Sequence, residues 1–460
     1  MNCGVRCELC TGEHRCVRPS GPENCEVTMV GEAPGGEEDR NDIPFSGTAG
    51  KETNEHYLPL SGLKRPRIRV TNAIRCLPST PQHKLDLKKS EHRALLVCCA
   101  NHHLYPELSR NRARRLLLPL GAFACYAVAP EIDLEMHHGV PLETDWGLTF
   151  PMYHPAQGLY EPKRMVMIRT DWYRLRQYTE GRLHMPVDMY PNPDYQEITD
   201  VPRLNAYLDA TGLEHALACD TETTRRAVPY CLSLSTRPGT GRVIRSDNTS
   251  VLRRLQAYLD RWRGPILFHN YLFDGEVVEE MGLRFPWVRV VDTMMKVFHL
   301  GNLPQGLKAL AYREMGMEMM DFDDLVTPYS REIVLDYYRN AMCEEWTVPP
   351  VEMVRSSSGA WKKYKPHGFN SKLKQFFNRY AKSPDVDCFE TWTRNWEEHH
   401  QEIEKVQGPW PGKCISHVPW DQVIYYACRD ADATIRLWPV IQHMESRVGK
   451  VTQERYRDAA

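Results

Sequence analysis

The chain reads as an α/β protein built in two blocks. Three observations predict this. Short apolar strand patterns alternate with helical ones through residues 1–181, a Pro-rich stretch interrupts the chain at Met185–Asp200, and a second strand-and-helix run begins near Val201. In the first block, Val27–Val30 runs straight into Gly31, Ile68–Ile74 ends before Cys76, and Leu116–Leu120 turns at Gly121-Ala122 into a helix. Strands separated by helices imply a largely parallel sheet. In the second block, Ala216–Cys219 leads to Asp220, and Tyr230–Ser235 and Arg242–Ile244 continue as strands. Val251–Trp262 is an amphipathic helix, Ile266–His269 a strand followed by a helix through Val277, and Trp420–Ile441 a helix.

Length and composition bound the rest. The 460 residues suffice for two to four domains, and a hydrophobic content of 42% is ordinary for a globular protein. The net charge of −2 supplies no global positive field, so any nucleic-acid affinity has to come from local basic patches. No apolar run reaches the length of a membrane span, and the N-terminus lacks the apolar core of a signal peptide. A cytoplasmic location is expected (host cytoplasm, if the source is viral). There, the 15 cysteines point to metal or thiol chemistry rather than to a disulfide framework.

One set of polar residues lies in the first block. Gly31 and Gly35 with Pro34 make a tight strand-to-loop turn that brings Glu32 and backbone N–H groups close to a ligand. Pro44-Phe45-Ser46-Gly47 offers an aromatic on a second loop, Asn72 an amide at a strand end, and His154-Pro155 an imidazole on a third loop. A carboxylate, a stacking aromatic, an amide and a histidine are what a flipped base requires. The segment Gly31–Gly50, together with Thr71–Cys76 and His154-Pro155-Ala156, resembles family 4 uracil-DNA glycosylases over roughly residues 1–181. The resemblance implies a three-layer α/β/α glycosylase fold. In it Glu32 positions or polarises the attacking water, Phe45 stacks on uracil, Asn72 pairs with its edge, and His154 stabilises the leaving anion. Asp42 stands where that family usually has glycine.

The same resemblance implies a four-cysteine iron–sulfur cluster. Cys7 and Cys10 match its first pair, Cys76 its third ligand, and Cys98 or Cys99 its fourth, with Cys99 preferred. Four thiolates are the usual set for a 4Fe–4S cluster, and zinc is the rival on ligand type alone. Cys3, Cys16 and Cys25 are spare candidates, and Cys125 reads as an ordinary core thiol.

A second set lies beyond the Pro-rich stretch. Asp220 and Glu222, two apart on a strand, face one side of it. Asp274 comes early in the next helix, and Tyr426 and Asp430, four apart, share a helix face. Four converging carboxylates repel one another without cations, and hard oxygen ligands favour Mg²⁺ or Mn²⁺. Two such ions activate a water and stabilise a leaving oxygen. With Asn270–Asp274, Val291-Asp292-Thr293-Met294, Gly306-Leu307-Lys308 and Tyr426–Thr434, this block resembles the proofreading 3′–5′ exonuclease domain of family A DNA polymerases over about 200–316 and 417–445. That implies a ribonuclease H-like DEDD fold with Asp220, Glu222, Asp274 and Asp430 as metal ligands, Tyr426 orienting the water and Asn270 contacting substrate. Asp432 is the rival to Asp430, but only Asp430 is one turn from Tyr426.

The expected division is therefore a glycosylase domain at 1–181, a linker at 182–199, an exonuclease domain at 200–446 with an insertion at about 317–416, and a tail at 447–460. In the insertion, Trp361–Lys365 and Lys372–Lys382 interleave basic and aromatic residues. That composition suits either single-stranded DNA or a helix with a solvated basic face. Cys388, His399, His400 and Cys414 are irregularly spaced for zinc. The expected partners are uracil-containing or frayed DNA and a separate polymerase subunit, an arrangement associated with bacteriophages; no membrane is expected. The competing expectation is a DNA-binding scaffold whose glycosylase fold only senses uracil.

Overall fold

The structure is a computed structural model that describes residues 14–79, 85–162, 164–224, 228–301, 303–330, 333, 353–355, 361–363 and 412–458. Cys3, Cys7, Cys10, Tyr364 to Lys382, Cys388, His399 and His400 lie outside these residues.

Two sheets organise the chain. In the first, β1 (Val27–Gly31) leads through α1 (Gly36–Asn41), α2 (Thr48–Glu52) and α3 (Leu58–Ser61) to β2 (Ile68–Asn72). Next come α4 (Ser90–Cys99), α5 (Tyr105–Arg110), β3 (Leu116–Pro119), α6 (Ala122–Val128) and α7 (Leu134–His137). A hairpin of β4 (Leu142–Thr144) and β5 (Gly147–Thr149) precedes α8 (Pro155–Tyr160) and α9 (Arg164–Thr179). The strand order is β2-β1-β3-β5-β4, parallel except for β4. Central β1 is buried nearly throughout, as a strand covered on both faces must be. Met29, Val30, Leu117, Leu118, Phe150 and Trp172 close this core.

The second sheet begins inside the expected linker. Residues Asp194–Glu197 form β6, an edge strand pairing in parallel with β9 (Thr240–Arg245). The expectation of linker through residue 199 fails here because only alternate residues of β6 are half-buried, so DYQE carries no apolar signal. The chain continues through α10 (Val201–Asp209), β7 (Leu217–Thr223), β8 (Pro229–Ser235), β9, α11 (Thr249–Leu259), β10 (Ile266–Phe268), α12 (Tyr271–Glu280) and β11 (Val290–Asp292). The order is β11-β10-β7-β8-β9-β6, with β7-β8-β9 antiparallel and the other pairs parallel.

After α13 (Thr293–Leu300) and α14 (Leu307–Met315), the long C-terminal helix α15 (Trp420–Asp458) lies across β7, β8 and β9. It runs past the expected stop at Ile441 and through most of the expected tail. Leu437 and Ile441 pack against Val297 and Leu310, and Glu445 pairs with Lys296 at 3.0 Å, so tertiary packing carries the helix onward. Within the expected insertion, Met317, Leu325 and Val326 are buried, and Met353–Arg355 pairs with Trp361–Lys363 as a short antiparallel ribbon.

A buried ionic cluster ties the two sheets together. Arg313 of α14 reaches Asp171 of α9 at 3.4 Å, and the same Asp171 accepts from His138 at 2.9 Å. Arg174 pairs with Glu314 at 3.2 Å beside them.

Candidate active sites

Segments at the C-terminal ends of β1, β2 and β5 build the first site, the usual ligand-binding edge of such a sheet, with Gly121 after β3 beside them. A side chain at Gly31 would collide with the Asn72 amide oxygen and lie 2.8 Å from the Phe45 ring, so glycine permits that convergence. Gly50 plays the same part beneath the Phe45 carbonyl. Phe45 itself is left-handed (φ 59°), and its ring centroid lies 6.0 Å from that of His154. Gly121, also left-handed (φ 86°), lets His154 Cβ pass within 3.1 Å of where a side chain would begin.

Electrostatics set two protonation states. Burial lifts the Glu32 carboxyl to about 7, so it exchanges a proton near neutrality. Burial also lowers His154 to about 4, which leaves a neutral imidazole at pH 7. Its Nδ1 accepts from the Ala156 N–H at 3.2 Å, so the proton resides on Nε2 and is available to a ligand. The arrangement offers an aromatic face, an amide edge, a carboxylate poised near its pKa and a neutral donor.

Sequence reasoning missed Glu38 and Arg18. The Glu38 carboxylate accepts from the Gly35 N–H at 2.5 Å and from the Phe45 N–H, and thereby holds both loops. A glutamate three residues after the Gly35 helix start, able to reach back to the Gly35 N–H, was the available signal. Asp42 takes a left-handed conformation (φ 55°) at the end of α1, which accounts for glycine as the alternative there. The strain is offset by Arg18, whose Nε and Nη2 approach Asp42 Oδ2 at 2.8 and 2.6 Å.

The cysteines sort by location. Arg75 N–H donates to Cys99 Sγ at 3.4 Å, one residue from Cys76. A hydrogen bond from the Cys76 side chain lowers the Cys16 thiol to about 7. Cys16 thus partners Cys76, and Cys99 accepts from the backbone of the residue before Cys76; thiols are the donors an iron–sulfur cluster uses. Cys25 instead bonds Val27 and Asn111 in the core, and Cys125 is fully buried.

The second site straddles β7 and α15. Asp220 and Glu222 face α15 opposite Ser233 and Cys231 of β8. Ligand oxygens of Asp220, Glu222 and Asp430 all lie within 4.8 Å of one another. Burial and mutual repulsion push Asp220 and Glu222 well above the carboxylate range, and burial lifts Asp430 to about 7. Such a group gains most by binding a cation. Asp274 stands beside it without joining that close set. It accepts from the Thr221 N–H at 3.0 Å and the Thr221 hydroxyl at 2.6 Å, and burial lifts it to about 6. Thr221 is therefore a site residue that the sequence did not single out.

Tyr426 is buried one turn before Asp430. Asp432 accepts from Tyr195, the Gly239 N–H and Arg436, and so is occupied elsewhere. Asn270 caps α12 in a left-handed conformation (φ 79°), where its N–H donates to Asp292 at 3.2 Å. Asp292 also accepts from the N–H groups of Tyr271 and Met294, which splices α12 to α13 and fixes Asp274.

The first fold and its site define a class: a hydrolase of the α/β type. Residues 18–177 match the Uracil DNA glycosylase superfamily. The chain is 30% identical over 184 residues to the type-4 uracil-DNA glycosylase of Archaeoglobus fulgidus, covering 38% of this chain and 87% of that protein. It is 26% identical over 181 residues to the type-4 uracil-DNA glycosylase of Saccharolobus solfataricus, covering 37% and 80% respectively. Through this N-terminal part, the chain belongs to the type-4 uracil-DNA glycosylase family. Among solved structures, the catalytic core of RRP6 from Trypanosoma brucei aligns at 15% identity and a TM-score of 0.27, over 30% of this chain and 39% of that one. NrnC of Brucella melitensis aligns at 15% identity and a TM-score of 0.25, over 57% and 86%. Among the described residues, no helix is long and apolar enough to cross a membrane.

Proposed function

We propose that this chain releases uracil from DNA with residues 1–181 and removes nucleotides from 3′ ends with residues 200–446, the latter in a ribonuclease H-like DEDD fold. The observation that carries the reading is the convergence, within each half, of side chains far apart in sequence. In the first site, Phe45 stacks on the flipped base, Asn72 reads its edge, and ionised Glu32 polarises the attacking water. Neutral His154 donates from Nε2 to the uracil anion as the glycosidic bond breaks, without the cost of burying a full cation.

A 4Fe–4S cluster would be held by Cys76 and Cys99 with Cys7 and Cys10, and Cys16 lies alongside as a further thiol. Bound there, it would cross-tie the N-terminal segment to β2 and α4. In the second site, Asp220, Glu222, Asp274 and Asp430 would hold two Mg²⁺ or Mn²⁺ ions, which supply water activation and charge neutralisation. Asn270 borders the strand path, and Tyr426 orients the water. Uracil and mispaired 3′ ends are both replication errors. We therefore place the chain as a proofreading and repair subunit serving a separate polymerase, of bacteriophage type, in the (host) cytoplasm.

The test uses an end-labelled, uracil-containing single strand with and without Mg²⁺, followed by alkali. The reading expects alkali-dependent cuts at uracil in EDTA and a 3′-end ladder only with Mg²⁺. A ladder with uracil untouched would reduce the first half to a binding module, and failure of a polymerase chain to bind at micromolar concentration would remove the subunit assignment.

A further inference from the structure

Lys308 lies in the first turn of α14, outside the set of carboxylates assigned above to metal binding. Its ammonium donates to the Met320 carbonyl at 2.7 Å, to Asp321 Oδ1 at 3.2 Å and to the Tyr426 hydroxyl at 3.4 Å. It stands 5.3 Å from the Tyr426 ring centroid, on the hydroxyl side of the phenol. Tyr426 stands one helical turn from Asp430 of the carboxylate group, so the ammonium is a positive charge on that side of the site. The far end of α14 is fixed: Arg313 is buried against Asp171, and Glu314 pairs with Arg174, both partners on α9 of the first core. A nine-residue helix locked at one end holds its first turn in place.

We propose that Lys308 is a positioning residue of the exonuclease centre. It fixes the Tyr426 hydroxyl, and through it the attacking water, while its charge shares the field of the three carboxylates with the metal ions. This rests on the exonuclease reading above. Two consequences pull in opposite directions. Loss of the ammonium frees the phenol and slows turnover, yet it removes a cation that competes with metal for the same negative charge.

The experiment uses the full chain with Lys308→Met and Lys308→Arg, end-labelled single-stranded DNA, and Mn²⁺ titrated by activity and by direct binding. Lys308→Met is expected to lower kcat by about tenfold or more, on the scale of a misplaced proton-handling group, with KM for DNA little changed. Its Mn²⁺ dissociation constant is expected to fall about threefold, and Lys308→Arg should recover most of kcat. Uracil release should match the wild type. Unchanged kcat, or weaker Mn²⁺ binding in Lys308→Met, overturns the proposal, the latter because structural damage alone would loosen the metal. A wild-type chain with no metal-dependent ladder overturns the exonuclease reading itself, whereas a ladder indifferent to Lys308→Met overturns this proposal alone.

Discussion

Replacing Glu32 by glutamine should stabilise the protein and silence uracil release together. Burial raises this carboxyl from an ordinary 4.5 to about 7. A carboxyl whose folded pKa lies above its unfolded one costs nothing well below the unfolded value, where both states are protonated. The cost grows as pH climbs from 4.5 towards 7, because the unfolded chain ionises first, and it is constant above that. A shift of this size corresponds to roughly 3 kcal/mol at pH 8.5 and less than about 1 kcal/mol at pH 5. Glutamine keeps the shape without the charge, so the gain of Glu32→Gln over wild type should follow that curve. The assay is urea-dependent hydrogen-exchange protection of β1 and β2 in the full chain at both pH values, alongside single-turnover uracil release. Release should fall by about 10² to 10⁴-fold, and in the wild type it should rise with pH through about 7. An equal stability gain at pH 5 and pH 8.5, or no gain at all, would refute the claim that Glu32 is held against its own ionisation.

Three further outcomes follow from the same geometry. Glu38→Ala frees the Gly35 and Phe45 N–H groups and should cost about 1–3 kcal/mol of loop order, read as a tenfold or larger rise in KM for uracil-DNA; an unchanged KM would show that the Phe45 loop is held otherwise. Metal binding at the Asp220, Glu222 and Asp430 group should expel protons at pH 6, because Asp430 titrates near 7 and burial also pushes its two neighbours well up, and affinity should rise with pH through that range. Calorimetry in two buffers of different ionisation enthalpy measures this, and buffer-independent heats would contradict it. Arg313→Ala leaves Asp171 as a buried charge beside His138 and should cost about 3–5 kcal/mol; a thermal midpoint unmoved by the change would mean that the two cores are not joined through this cluster.

Much of both sites is legible in the chain because it is local. The turn from β1 into Glu32, the alternation that puts Asp220 and Glu222 on one strand face, and the single helical turn from Tyr426 to Asp430 are matters of near-neighbour geometry. The strands that carry these residues start and stop close to where their apolar patterns do. Edge strand β6 escapes the sequence pattern because a half-exposed strand has no apolar run. Helix α15 runs on past Ile441, where the apolar pattern ends, because Leu437, Ile441 and Met444 pack with residues of α13 and α14.

Which chemical groups are present, their order, and which of them share a strand or a helix face are local matters, since φ and ψ periodicities fix those relations over a few residues. What each group does there depends on the folded packing. Burial sets Glu32 near 7 and leaves His154 neutral. Thr221 turns Asp274 aside from the close trio, Arg18 steadies Asp42, Glu38 joins two loops, and Lys308 reaches Tyr426 from 118 residues away. Desolvation and contacts between distant segments arise only once the chain is folded, so no local pattern encodes them.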